Sequence, residues 1–133
     1  MNISDYIKPG ISREQTIVVA EEHTAAHVGS GSLRVLATPW MIAFMEKNSR
    51  IMLDEYLPEG YSTVGVLVNV RHLAPSTVGR AVRVTAEVKA VEGSKVILDV
   101  SAWDSDEQIG SGTHERFVID VERFLKRVEG KGN

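Results

Sequence analysis

The sequence predicts an α+β domain in which a curved antiparallel β-sheet wraps around one long α-helix. Three observations predict it. The stretch from Thr38 to Leu57 has a helical pattern, the run from Arg80 to Ala90 alternates strictly, and turn signals divide everything after Gly60 into strands.

The elements follow in order. Pro9-Gly10 marks a turn, and Gln15 to Val19 is a short β-prone run. Glu21 to Ser32 is rich in small and polar residues and reads as an irregular loop. Thr38 is suited to cap the helix, with Pro39 at the first helical position, where its missing N–H is no loss. Met41, Ala43, Phe44, Met45, Ile51, Met52 and Leu53 supply apolar surface, and Pro58 and Gly60 stop the helix. At 1.5 Å per residue the rod is about 30 Å long. Val35 to Met45 is apolar almost all the way round, which predicts burial on most sides. The strands after it are Val64 to Leu73, Arg80 to Ala90, Lys95 to Trp103 and Gln108 to Val121. In the second of these, Val82, Val84, Ala86 and Val88 share one face, opposite Arg83, Thr85, Glu87 and Lys89. A sheet of alternating strands has one face to bury, and the long helix is the object to bury it against. The order β-α-β-β-β-β, with the sheet around the helix, is the hotdog fold.

Composition narrows the function. A chain of 133 residues is expected to form one domain, residues 1–133, with a core that needs no disulfide or structural metal. Hydrophobic residues at 43% and charged residues at 25% are those of a globular protein. A net charge of -3 argues against nucleic acid as a partner, which calls for a basic surface. The absence of cysteine excludes thiol nucleophiles and Cys-ligated metals. No apolar run is long enough for a membrane span, so no membrane partner and a cytoplasmic setting are expected.

Several residues are candidates for chemistry. Glu46 follows nine residues, Ala37 to Met45, without an ionisable side chain. It is either the edge of a buried cleft or half of a surface pair with Arg50, one turn on. Thr38 is either a plain cap or a hydroxyl at a helix N-terminus, where anions and carbonyl oxygens are attracted. The two are about 12 Å apart along an ideal helix and cannot touch if it is straight. His72 ends a strand and suits proton transfer near neutral pH. Gly65 marks a bulge or a close approach of backbone to a ligand, the bulge being the commoner cause. His114 and Arg116 share one face of the last strand; His114 is expected on a solvated face, while Arg116 suits a carboxylate or phosphate. His23 and His27 are spaced i, i+4 but lack a metalloprotease glutamate between them, so no metal and no cofactor are expected.

Taken together, Val35-Leu36-Ala37-Thr38-Pro39-Trp40-Met41, Met45-Glu46, the strand ending in His72, and Ile109-Gly110-Ser111-Gly112-Thr113-His114-Glu115-Arg116 resemble the hotdog thioesterases of the fluoroacetyl-CoA thioesterase type. The likeness runs from about Val18 to Phe124. It implies an acyl-CoA substrate and a homodimer, with a tetramer as the larger alternative and active sites at or near the dimer interface. It assigns the threonine of a catalytic triad to Thr38, the acid to Glu46 and the histidine to His72. It sets Gly65 beside the thioester and matches Arg116 to an arginine of the family's own segment. The family's aromatic lid corresponds here to Ser32-Leu33-Arg34, which holds no aromatic residue. A short acyl-CoA other than the fluorinated one is therefore expected. Two other activities share the fold and ligand, enoyl-CoA hydration and non-catalytic acyl-CoA binding.

Overall fold

The alternating run becomes the centre of the molecule. In a computed structural model, which describes residues 1–132, Ala81–Glu92 is the third of five strands, and its Val82, Val84, Ala86 and Val88 are at most 1% exposed. The strands are β1 (Ser12–Val18), β2 (Tyr61–His72), β3 (Ala81–Glu92), β4 (Lys95–Asp104) and β5 (Glu107–Asp120). The helices are α1 (Ala25–Val28), α2 (Thr38–Tyr56) and α3 (Val121–Gly130). All pairings are antiparallel, in the order β1-β3-β4-β5-β2, so β1 and β2 are the edges.

The concave side of the sheet closes on α2. Met41, Met45, Met52 and Leu53 of α2 pack against Val82 and Val84 of β3 and Leu98 of β4, all buried in one cluster. A buried polar tie crosses this layer. Buried Asn48 accepts from Arg13 Nη1 at 2.7 Å and donates to the Arg13 carbonyl at 2.9 Å, fastening α2 to edge strand β1 through both ends of its amide.

Four expectations need correction. The residues after Asp120 are helical rather than strand: Val121, Phe124, Leu125 and Val128 recur at helical spacing, and the Asp120 carboxylate caps the Arg123 N–H at 3.2 Å. The loop from Glu21 to Ser32 contains a 3-10 turn at Glu21–His23 and the single-turn α1, which Thr24 caps and Gly29 ends at φ 90°. The cap of α2 is Ala37, not Thr38; the chain there is held by Leu36 N–H to Ser76 O and Ala37 N–H to His23 O, both 2.8 Å. Thr38 is thus the first helical residue, Pro39 the second, and the threonine hydroxyl is free for another partner. Finally, the first half of α2 is not buried all round. Met41, Phe44 and Met45 are, but Thr38 and Pro39 are exposed, and Ile42 and Ala43 are half-buried.

Two glycines of β5 face inward for different reasons. A Cβ on Gly112 would run into the Asn69 carbonyl oxygen and lie 2.6 Å from Val70 Cα, both backbone atoms of β2. A Cβ on Gly110 would meet Met41 Sδ at 2.5 Å, an unbranched side chain that can turn aside. Gly112→Ala is therefore expected to cost about 3 kcal/mol and Gly110→Ala about 1 kcal/mol in urea unfolding. The reverse order would show that β2 is not packed this tightly on β5.

Candidate active site

The structure gathers the predicted residues into two groups, one at each end of a stretch of α2 and β2. At the N-terminus of α2, Thr38 Oγ1 lies 2.8 Å from His72 Nδ1 at the end of β2. The cleft beside them is about 360 Å³ and is lined by Ala25, Ser30, Val35, Thr38, His72 and Pro75. His72 Nε2 is buried and has no hydrogen-bond partner among the described residues. Burial pushes the His72 pKa below its ordinary 6.5, against a smaller opposing effect of the Ala74 backbone. The ring is therefore neutral near pH 7, with one nitrogen on Thr38 and the other unanswered.

The second group centres on Glu46. Arg50 is taken by Asp54, at 2.9 Å on the same helix, so the surface pair of Glu46 with Arg50 does not form. Glu46 Oε2 instead faces Arg116 Nη1 at 3.7 Å, with the carboxylate 40% exposed and the guanidinium 6%. Arg116 Nε donates to Thr63 Oγ1 at 2.7 Å and Nη2 to the Thr63 carbonyl at 3.0 Å. Burial pulls the Arg116 pKa below its ordinary value, and the Glu46 charge opposes that shift. Arg116 thus faces a carboxylate of its own chain.

Gly65 stands at the bulge the sequence allowed. The β2–β5 register slips between Gly65 and Leu67, leaving Val66 as the extra residue of a bulge. A Cβ on Gly65 would also lie 2.7 Å from Glu46 Oε2 and 3.3 Å from Arg116 Nη1, so the carboxylate rests against bare backbone. The bulge has a further effect. Gly65 and His72 are an odd number of residues apart, which in a regular strand puts them on opposite faces. The extra residue brings both to the helix side, one over Glu46 and the other over Thr38.

His114 is not solvated; it is 1% exposed. Its neighbours at even positions settle the face, because Gly110, Arg116 and Val118 are buried with it. Val118 was the available signal for that side. Thr63 carried no signal in the sequence. His23 accepts the Ala20 N–H at its Nδ1, 2.9 Å away, and packs tilted against Trp40 and edge-to-face with Phe44, with centroids at 4.6 and 5.0 Å, so it lies in an aromatic cluster. No group of three or more metal-ligating side chains exists among the described residues. No helix among them is long and apolar enough to cross a membrane. No hydrogen bond or ion pair among the described residues joins Thr38 or His72 to Glu46 or Arg116.

A sheet wrapped on a helix, with a hydroxyl–imidazole pair and a carboxylate on its open flank, defines a protein of the hotdog class. The profile of the fluoroacetyl-CoA-specific thioesterase family matches residues 19–122, and the chain belongs to that family. It is 41% identical over 97 residues to the fluoroacetyl-CoA thioesterase of Streptantibioticus cattleyicolor, covering 73% of this chain and 70% of that one. A variant of a fluoroacetyl-CoA-specific thioesterase solved with fluoroacetate and CoA superposes with a TM-score of 0.83 at 35% identity, over 89% of this chain and 99% of that one. A hot-dog-like protein from Thermanaerovibrio acidaminovorans superposes with a TM-score of 0.92 at 28% identity, over 100% and 98% of the two chains.

The two depressed histidines set a stability slope. His72 and His114 are both held below 6.5, chiefly by burial, so the unfolded chain takes up protons that the folded chain refuses. Their contribution is complete above about pH 6.5 and is lost progressively as pH falls from there toward the lower folded values. The urea midpoint is expected to be lower at about pH 5.5 than at about pH 7.5, and His114→Gln should narrow the gap. Equal midpoints would mean that neither ring is kept neutral by the fold.

Proposed function

We propose that the chain hydrolyses a short acyl-CoA thioester to the free acid and CoA, in a homodimer whose two active sites are each built from both subunits. The observation that carries this reading is His72, with Nδ1 on Thr38 and Nε2 buried without an acceptor. When Nδ1 accepts the Thr38 hydroxyl proton, Nε2 carries the hydrogen, and a buried N–H calls for an acceptor. Within the chain the available carboxylate, Glu46, is about 12 Å along α2 from Thr38.

A second copy resolves the distance. β2 is an edge strand, with Val66, Leu67 and Val68 exposed at 46%, 42% and 39%, an apolar run that favours pairing with another strand. Consider antiparallel pairing of β2 with the partner's β2 about a two-fold axis through Asn69. Counting outward and skipping the bulged Val66, Gly65 falls opposite the partner's His72, with both on the helix side. Glu46, resting against Gly65, then meets the partner's His72 Nε2. The half-buried Ile42 and Ala43 of α2 supply apolar surface on the same flank.

In this site Thr38 Oγ attacks the thioester carbonyl carbon as its proton passes to His72 Nδ1, and the partner's Glu46 stabilises the imidazolium. The positive end of α2, with the Thr38 N–H, attracts the developing oxyanion, since Trp40 and Met41 N–H are already given to Ala37 and Pro39 has none. The C–S bond breaks, and His72 returns the proton to the CoA sulfur. Water then attacks the acyl carbon as its proton passes to His72, the C–Oγ bond breaks, and His72 returns that proton to Thr38 Oγ as the acid leaves. His72 suits the role because its low pKa keeps it unprotonated and ready to accept. The short acyl chain is supported by the relative solved with fluoroacetate and CoA, and by the modest cleft. The missing aromatic at Ser32-Leu33-Arg34, where Arg34 instead pairs with Glu21, favours an unfluorinated acyl group. The cytoplasm, where CoA thioesters are made, is the setting this substrate implies.

Free thiol is expected from a panel of short acyl-CoAs, and Glu46→Gln should lower kcat by about 10²- to 10⁴-fold without unfolding the chain. Water addition to an enoyl-CoA, or binding without turnover, would overturn the reading. Mixing is the sharper experiment. Thr38→Ala and Glu46→Gln chains, each inactive alone, should on subunit exchange regain about a quarter of the parent rate, because half the dimers then contain one complete site. No recovery in dimers shown to have exchanged would place the triad within one chain.

A further inference from the structure

We propose that His114 is a positioning residue that aims the Arg116 guanidinium at Glu46. The inference rests on the catalytic role given to Glu46 above and adds what holds that carboxylate in place.

Hydrogen-bond chemistry fixes the state of the ring. His114 Nδ1 lies 2.8 Å from the Leu67 carbonyl oxygen, which can only accept, so Nδ1 carries the hydrogen. His114 Nε2 lies 3.2 Å from Arg116 Nη1, which can only donate, so Nε2 presents its lone pair. Both nitrogens are spent, and the imidazole is the neutral Nδ1–H tautomer. Each contact has a separate effect. The first ties the ring to the residue just past the bulge, which carries Gly65 to its place under Glu46. The second supplies the acceptor for Arg116 that no other residue provides on that side.

Arg116 needs that acceptor. Thr63 takes the Nε and Nη2 hydrogens, which fixes one edge of the fork. Nη1 has two hydrogens. With one given to His114, the other is directed to Glu46 Oε2, 3.7 Å away. Glu46 itself is loosely held, because its side chain is 40% exposed and Arg50 is engaged with Asp54. Without the imidazole, Nη1 loses an acceptor, only the two Thr63 contacts hold the guanidinium, and the carboxylate loses part of what sets the cation over Gly65. His114 touches no substrate in this arrangement; it acts through Arg116.

Two substitutions separate the contacts. In His114→Asn the amide nitrogen falls near the position of Nδ1 and keeps the bond to Leu67, but nothing reaches Arg116. In His114→Gln the amide oxygen falls near the position of Nε2 and accepts from Arg116. Glutamine is expected to keep kcat within about threefold of the parent, whereas asparagine lowers it at least about tenfold with KM little changed. A residue that only fills space would show both variants falling alike, or asparagine, with its retained tie to the backbone, doing better; either result overturns the proposal. The second readout needs no turnover. The Arg116 Nη1 hydrogens should exchange slowly in the parent and in His114→Gln, and rapidly in His114→Asn. Unchanged exchange in the asparagine variant also overturns the proposal. If the parent releases no thiol at all, the thioesterase reading fails while the exchange measurement still decides whether His114 orders Arg116.

Discussion

Thr38 and Glu46 stand on one stiff rod, and the rest of the site is arranged around their separation. An α-helix does not fold back on itself, and this one is held at its start by Leu36 and Ala37 and along its length by the exchange between Asn48 and Arg13. It lacks an internal proline that might kink it, since Pro39 sits in its first turn. Each functional side chain therefore takes its partner from the strand passing beneath it, His72 at one end of β2 and Gly65 at the other. The bulge at Val66 brings those two strand positions to the same side. A regular strand of the same length would present one of them to solvent on the convex face.

The second constraint is a guanidinium out of water. Arg116 is 5% exposed on a strand next to the sheet's edge, and a buried cation is tolerated only when its donors are met. Thr63 and His114 meet three of its nitrogens, and the remaining direction points at a carboxylate. The glycine at 65 is part of the same solution, because any larger residue would occupy the space that Glu46 Oε2 fills. Function here is not added onto a finished fold. The same few side chains that make the buried charge tolerable also choose where the acid stands.

Much of this was legible in the sequence, for identifiable reasons. The alternation of Val82, Val84, Ala86 and Val88 is a strong period-two signal, and the helix from Thr38 is bounded by prolines, so both elements lie where they were read. Thr38 slipped from cap to first helical residue because backbone bonds from Leu36 and Ala37, invisible in sequence, hold the chain one residue earlier. The C-terminal helix was missed although Asp120 caps it and Val121, Phe124 and Val128 mark its stripe; the β-prone run before it hid the change of period. His114 was misplaced because polar residues on a strand usually face water. Only the parity it shares with Val118 argued otherwise. Thr63 is an ordinary strand threonine until Arg116 arrives from 53 positions away. Contacts of that kind depend on register, which no local pattern states.

The open edge at β2 carries one more implication. If each centre is completed only when two such edges meet, turnover depends on how many copies of the chain are present as well as on how good each copy is. Dilution below the dissociation constant would silence the protein without altering any residue, and abundance would act as its throttle. Selection on the apolar tract from Val66 to Val68 would then act on the switching threshold as much as on architecture.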